Sequence, residues 1–209
     1  MYRKIKNNRN FGIFVILTRY LIGFAFIPSG LTKVLGQRFT QISTDTQIGY
    51  FFEGLYQSGA YWHFLGLAQL AASFLIMTQR FAAVGSLMFL GIITNIWVIT
   101  WSMDFRGTVI ITSLMLLACL MLVAWHWDRM QYLFVEEGKV MLPMKPSPPQ
   151  DPIWQTSGLA LYFFCLSAFI FTSYYKSESK YVMAGMFVFI IAVLTSSMVI
   201  SQKRYRSKT

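Results

Sequence analysis

Residues 17–36 read LTRYLIGFAFIPSGLTKVLG, an almost wholly apolar stretch that nevertheless contains Arg19 and carries Lys33 close to its end. A helix of about 20 apolar residues is long enough to span the hydrocarbon core of a bilayer. A permanent charge inside such a helix costs from about 2.5 kcal/mol upward, so it needs a polar partner or access to the headgroups. The stretch therefore predicts a transmembrane helix with a polar contact inside it.

The composition of the whole chain indicates a membrane protein. Of its 209 residues, 56% are hydrophobic and only 12% are charged, whereas soluble domains carry about 25% charged residues. The net charge of +10 does not indicate nucleic-acid binding, because the basic residues cluster beside apolar runs instead of along one soluble face. We therefore expect the lipid bilayer, and no nucleic acid, as the main partner of this surface.

Six apolar windows predict an all-α membrane protein with six transmembrane helices. The windows are residues 11–31, 61–78, 81–101, 107–127, 157–175 and 181–201. With the N-terminus inside, twelve Lys and Arg residues lie on the side of the termini and five on the other side. Because cytoplasmic loops carry the excess of Lys and Arg, we expect both the N- and C-termini in the cytoplasm. The localisation expected is a bacterial cytoplasmic (inner) membrane, crossed several times.

Two of the links are longer than simple turns. The first, residues 37–60, contains five large apolar side chains at helical spacing, which predict a short amphipathic helix in the outer interface or over the end of the bundle. These side chains are Ile48, Phe51, Phe52, Leu55 and Tyr56. In the second link, YLFVEEGKVML (132–142) predicts a cytoplasmic hairpin, and LPMKPSPPQDP (142–152), with five prolines, predicts a stiff extended linker. The predicted organisation is a four-helix core at 1–128, the hairpin and Pro-rich linker at 129–156, and a two-helix transmembrane hairpin with a basic tail at 157–209.

Two environments for Arg19 stay open at this point. It lies ~12 Å from the cytoplasmic end of its span, so its side chain either snorkels back to the headgroups or points into the bundle. Gly23 and Gly30 fall on the same side of the helix, which favours a closely packed neighbour over lipid. Two polar residues in other spans lie at comparable depths and are candidate partners of Arg19. Gln69 lies ~15 Å from the cytoplasmic end of its span, and Asn95 lies ~21 Å from the cytoplasmic end of its own. No Asp or Glu lies inside any window, so a carboxylate from another element, a lipid phosphate or an anionic ligand would have to neutralise Arg19.

Charged residues also gather beyond the outer end of the first span. Lys33 and Arg38 follow that span, and Glu53, Asp104 and Arg106 lie in the links on the same side. They are either solvated loop charges or a polar cluster at the mouth of a cavity. We treat Arg19, Gln69, Asn95 and Lys33 as candidate ligand-binding residues, with Glu53, Asp104 and Arg106 as a candidate outer polar cluster.

The residues give no indication of catalytic or metal chemistry. His63 and His126 fall near opposite faces of the membrane, which argues against a histidine metal site. Cys119 and Cys165 each sit in an apolar run without a CxxC partner, so they are either small buried hydrophobes or a redox pair between helices. No cofactor is evident, and a bound quinone is left open.

The first span and the segments after it resemble the DoxX-like family of small membrane proteins. The first-helix pattern is carried by Arg19, Gly23, Phe26, Gly30, Lys33 and Gly36. FFEGLYQSG (51–59) resembles the family's short segment before the second span, and FLGLAQLAASFLIMTQR (64–80) resembles that span and the basic turn after it. The resemblance covers about residues 11–128 and implies a four-helix core. Where the family often has an acidic residue, this chain has Gln69.

Three functions are consistent with these features. Some members of the DoxX-like family are membrane subunits of quinone-linked sulfur oxidation, others are linked to thiol redox stress, and a distant eukaryotic branch acts in cargo sorting. The sequence lacks acid/base pairs and cofactor ligands, and its predicted cytoplasmic hairpin and Pro-rich linker offer a strand edge or an extended segment to a partner. On these features we expect a non-catalytic subunit or accessory protein of a membrane complex, with a protein partner. The alternatives are a binder or carrier of a lipophilic or anionic small molecule, such as a quinone or lipid, around Arg19, and a membrane subunit of a quinone-linked redox enzyme. Whether the chain is an enzyme stays undecided.

Overall fold

The computed structural model describes residues 2–105, 107–131, 151–175 and 179–207. These residues form helices and connecting turns, and none of them is in a strand. The helices are α1 (Tyr2–Asn7), α2 (Arg9–Val34), α3 (Gln47–Gln57), α4 (Ala60–Met77), α5 (Ala82–Ser102), α6 (Thr108–Trp125), α7 (Trp127–Met130), α8 (Pro152–Tyr175) and α9 (Ser179–Arg206).

Six of these helices, α2, α4, α5, α6, α8 and α9, are long and apolar enough to cross a membrane. The prediction of six spans is confirmed, and the chain is a multi-pass integral membrane protein. Some helix bounds differ from the predicted windows. The first span begins at Arg9 because the Asn8 side chain accepts hydrogen bonds from the backbone N–H groups of Asn10 and Phe11. The fifth begins at Pro152, a residue suited to the first turn of a helix.

The helices alternate in direction, so both described ends of the chain lie at one end of the bundle. There, the Arg9 guanidinium stacks on the Tyr205 ring at 4.4 Å. We call this end the termini face; it comprises residues 5–11, 78–81, 126–131, 151–154 and 202–207. The links at residues 35–59 and 103–107 form the opposite face. The predicted amphipathic helix is confirmed as α3, whose N-terminus is capped by the Thr46 hydroxyl. The predicted hairpin, and the linker as far as residue 150, lie outside the described residues.

Helix α2 lies at the centre of the bundle. Half (50%) of its most apolar window is buried, against 11% for α9. Without a hydrophobic driving force between helices in lipid, close packing of small residues holds such bundles together. A Cβ added to Gly66 of α4 would lie 2.6 Å from the Gly30 carbonyl oxygen of α2, so only glycine fits there. The expectation that Gly23 and Gly30 face a tightly packed neighbour is confirmed, because Met77 packs against the former.

The α8–α9 pair packs on the α2–α6 core by aromatic and hydrogen-bond contacts. Gly158 of α8 lies directly against the Met77 backbone carbonyl, where a Cβ would collide with it. The Tyr162 hydroxyl donates to the Leu70 carbonyl at 3.2 Å, and the Tyr20 hydroxyl donates to the Trp154 carbonyl. These contacts bring α8 against both α2 and α4.

Candidate functional site

Arg19 lies inside the bundle and forms two hydrogen bonds with residues of the termini face. The residue is 1% exposed, so it does not snorkel to the headgroups. Its Nη1 donates to Gln79 Oε1 at 2.6 Å, and its Nη2 lies 3.0 Å from His126 Nε2. We call Arg19, Gln79 and His126 the Arg19 cluster. It joins α2 to the α4–α5 turn and to the end of α6.

The hydrogen bonds around His126 define which ring nitrogen carries the proton. Nδ1 lies 2.8 Å from the Leu122 carbonyl oxygen, which can only accept, so Nδ1 is assigned as the donor. Nε2 then accepts from the Arg19 guanidinium, and the ring is neutral. Gln79 donates through Nε2 to the Met77 carbonyl at 3.3 Å, which orients its oxygen towards Arg19. Both partners of Arg19 are therefore neutral acceptors.

Gln79 reaches the interior because of an unusual backbone conformation. Its φ of 61° places it in the left-handed region, within the short turn that joins α4 to α5. The residue is 1% exposed although it lies in a link, where side chains usually face water. This turn directs an amide from the chain between two spans into the bundle.

The expected pairing of Arg19 with Gln69 is wrong, and the cause is the direction of helical side chains. Side chains lean towards the N-terminus of their own helix. Arg19 in α2 therefore leans to the termini face, whereas Gln69 in the antiparallel α4 leans to the opposite face. Matching Cα depths alone ignores this opposite lean. A search for polar residues in the turns at the termini face would have found Gln79 and His126.

The buried positive charge of Arg19 has no carboxylate among its hydrogen-bond partners. Arg19 Nε is also buried, and within the described part of the chain it has no hydrogen-bond partner. At the termini face, Lys6 of α1 and Asp128 of α7 form a buried ion pair, with Lys6 Nζ 2.5 Å from Asp128 Oδ1. That pair ties the N-terminal helix to the turn after α6 and covers the termini face.

Lys33 forms a second buried cationic cluster near the opposite face. Its Nζ donates to the Ser29 carbonyl at 3.1 Å, the Ser29 hydroxyl at 2.7 Å and Gln69 Oε1 at 3.2 Å. The rings of Phe39 and Trp62 lie 4.6 Å and 5.1 Å from Nζ, within cation–π range. We call these five residues the Lys33 cluster. The structure thus brings together two of the predicted site residues, Lys33 and Gln69, but at the far end of α2 from Arg19.

Sequence reasoning missed Ser29, Phe39 and Trp62 as neighbours of Lys33. The alternative that Lys33 is a solvated loop charge is wrong, because the residue is only 6% exposed. Ser29 lies one helical turn before it, so the i, i+4 spacing was a usable signal. The two rings come from the loop after α2 and from α4, and no local spacing relates them to Lys33.

The candidate outer polar cluster is described only in part. Glu53 of α3 accepts two hydrogen bonds from Arg38, each of 2.9 Å, and a further one from Gln57 at 3.1 Å. These bonds lower the pKa of Glu53 to about 2, and the bonds from Arg38 have a larger effect on it than the bond from Gln57. Asp104 is exposed in the turn between α5 and α6, and Arg106 lies outside the described residues.

Asn95 is exposed, whereas the two cysteines are buried. Asn95 is exposed on the outer surface of α5, so the expectation that it meets a deep cavity beside Arg19 is wrong. Cys119 and Cys165 are buried as free thiols. Among the described residues, no group of three or more His, Cys, Asp and Glu side chains could hold a metal ion.

The fold and these clusters define a multi-pass membrane protein with two cations buried among neutral partners. No family model matches the chain, and no solved structure matches it. Over 123 residues the chain is 28% identical to the uncharacterized protein YwoB of Bacillus subtilis (strain 168), an alignment that covers 55% of this chain and 77% of that protein. The chain is thus similar to a bacterial protein. Because that protein is uncharacterized, the similarity assigns no activity to the chain.

Proposed function

We propose that the chain is a DoxX-like, non-catalytic accessory subunit of a protein complex in a bacterial cytoplasmic membrane, with both termini in the cytoplasm. The excess of Lys and Arg on the side of the termini supports this orientation. The first-helix pattern from Arg19 to Gly36 supports the DoxX-like assignment. The exposed amide of Asn95 is the observation that carries the role as a subunit.

Asn95 lies well inside α5, ~20 Å from one end of the helix and ~10 Å from the other. Its side chain is exposed, and no hydrogen bond from it to another described residue is present. An amide that faces lipid without a partner costs free energy, and Asn in a span commonly bonds across to a neighbouring helix. The residue therefore favours a transmembrane helix of a partner protein at this position.

The surroundings of Asn95 provide room for such a helix. Gly91, Asn95, Val98 and Ser102 are all exposed and recur at spacings of four, three and four residues, which defines one stripe on α5. We call these four residues the α5 stripe. A Cβ added to Gly91 would meet no atom within 4 Å. Gly91 and Ser102 are small residues that let two helix backbones approach closely, and Asn95 supplies the hydrogen bond between them.

Site-specific photocrosslinking in the native membrane tests this role. A photoreactive residue replaces Asn95, and a matched control replaces Leu117 of α6, which is 62% exposed on a purely apolar surface. We expect one discrete protein adduct from position 95 and lipid adducts alone from position 117. Native mass spectrometry of the gently extracted protein identifies the partner. Lipid adducts alone from both positions would refute the proposal.

The orientation is tested separately with introduced cysteines. Both natural cysteines are at most 1% exposed, so a membrane-impermeant thiol reagent labels only an added one. We expect Ser58→Cys to be labelled in intact cells and Ser207→Cys only after the membrane is opened. The reverse pattern would overturn the proposed orientation.

A second candidate function is the binding of a lipophilic or anionic small molecule beside Arg19. It is favoured by the unpartnered Arg19 Nε, which would donate to a quinone carbonyl or a phosphate oxygen. Purified protein titrated with a soluble quinone analogue tests it through quenching of tryptophan fluorescence. Arg19→Met should abolish saturable quenching, and unchanged quenching would exclude this site.

A further inference from the structure

A cleft lies between α2 and the C-terminal helices α8 and α9. Phe14, Leu21 and Phe24 of α2 form one wall, and Leu161 of α8 and Leu194 of α9 form part of the other. The cleft has a volume of about 520 Å³, within the range of ~300–1,000 Å³ that is usual for ligand sites. It lies within the spans and opens sideways, since Leu21 is 68% exposed.

The walls of this cleft offer a hydrocarbon surface. Two polar side chains, Thr18 and Tyr20, line it. The Thr18 hydroxyl donates to the Phe14 carbonyl, and the Tyr20 hydroxyl donates to the Trp154 carbonyl. With both donors engaged inside the protein, the cleft suits a chain of methylene groups and does not suit a polar ligand.

A cationic group lies at the end of the cleft that meets the termini face. Eleven residues are close to three full helical turns, so residues at this spacing lie on the same side of a helix and ~16 Å apart along it. Arg9 stands in this relation to Tyr20 on α2. Tyr205 stands in the same relation to Leu194 on α9. The Arg9 guanidinium stacks on the Tyr205 ring there, at 4.4 Å. No hydrogen bond or ion pair between its guanidinium and another described residue is present, whereas the neighbouring Arg204 is engaged by Asp151 at 2.5 Å.

The combination of these features identifies one kind of occupant. We propose that the cleft binds one acyl chain of an anionic phospholipid, whose phosphate is held by Arg9. The guanidinium presents several donors in a fixed plane, which matches the oxygens of a phosphate group. The Tyr205 ring holds that plane in place. The acyl chain lies between the two walls, and lipid enters the cleft directly from the bilayer through its open side.

Lipid retention by the intact protein tests this proposal. The protein is purified in mild detergent, delipidated and titrated with palmitoyl-oleoyl phosphatidylglycerol or with the matching phosphatidylcholine, and bound lipid is counted by native mass spectrometry. Leu21→Trp places a large ring across the open side of the cleft. Leu117→Trp, on an exposed apolar part of α6 away from the cleft, is its matched control. Arg9→Gln removes the charge at the headgroup position only.

The expected result is one tightly retained phosphatidylglycerol on the wild type and on Leu117→Trp, and none on Leu21→Trp. One basic side chain contributes about fivefold to the affinity for anionic lipid, so Arg9→Gln should reduce the preference for phosphatidylglycerol over phosphatidylcholine about fivefold. Equal retention of the two lipids by the wild type would overturn the role of Arg9. Equal retention by Leu21→Trp and the wild type would overturn the cleft as the site. Folding of each variant is checked by its thermal unfolding in detergent without lipid.

Discussion

Replacing Gln79 by Leu removes the shortest hydrogen bond that Arg19 makes. The bond joins Arg19 Nη1 to Gln79 Oε1 over 2.6 Å in a fully buried setting. A hydrogen bond to a charged group contributes about 1.5–3 kcal/mol, and the unpaired donor cannot turn to water instead. Leu fills nearly the same volume as Gln, so no cavity adds to the loss. We expect Gln79→Leu to lower the free energy of unfolding by about 2–3 kcal/mol.

The measurement is reversible unfolding in mixed micelles, driven by added SDS and followed by tryptophan fluorescence. Ser86→Ala is the matched control, because the Ser86 hydroxyl is equally buried but donates within its own helix, to the Ala82 carbonyl; its loss should cost about 1 kcal/mol or less. Gln79→Glu keeps an acceptor beside Arg19 and adds a negative charge, so it should be more stable than Gln79→Leu. A Gln79→Leu protein as stable as the wild type would refute the Arg19 cluster, and Arg19 would then have to reach the headgroups.

Three further predictions test other parts of the fold. Gly66→Ala should destabilise the protein by about 1–3 kcal/mol in the same unfolding assay, because its Cβ would lie 2.6 Å from a backbone oxygen of α2. The control Gly91→Ala should be neutral, because its Cβ would meet no atom within 4 Å. Equal losses of stability in the two variants would contradict the close packing of α2 and α4. Lys33→Met should leave stability within about 1 kcal/mol or raise it, because replacing a buried charge by an apolar group of similar shape is often favourable; a large loss would show that its ammonium bonds stabilise the fold. The pKa of Glu53 is lowered to about 2, so the contribution of its bonds with Arg38 is complete above its ordinary pKa of 4.5 and disappears as the pH falls through about 2. Proteolysis of α3 should therefore accelerate between pH 4.5 and 2 in the wild type, and Glu53→Gln should abolish this pH dependence; identical profiles would exclude the pair as its source.

The sequence predicts the spans and the close packing of α2 because both depend on local pattern. Six apolar runs of sufficient length give six helices, and the 3.6-residue period of residues 48–56 gives α3. Gly23 and Gly30 could be assigned to a packed side because glycine spacing on a known helix fixes a face. Each of these inferences requires only one segment of the chain.

The partners of the buried cations could not be predicted in the same way. Gln79 enters the bundle through a left-handed turn, and no span contains it. His126 follows the last residue of α6, where the helix period no longer fixes its direction. Depth in the span indicated Asn95 as an interior partner of Arg19, but α5 is apolar on every side, so its sequence does not reveal which side faces the core. Such contacts depend on how whole helices lean and rotate against each other.

The Arg19 cluster also has a consequence for how the chain is made. The hydrogen bond from Arg19 to Gln79 joins residues 60 positions apart, and the contact with His126 joins residues 107 positions apart. Ribosomes add about 5–20 residues per second, so the first span emerges on the order of 5–20 s before His126 exists. For about the first 3–12 s of that interval the guanidinium has neither of its eventual acceptors, and from then until His126 is made it has Gln79 alone. The first span therefore has to wait at the insertion machinery or near the headgroups, and it settles to its final depth only when the fourth span arrives.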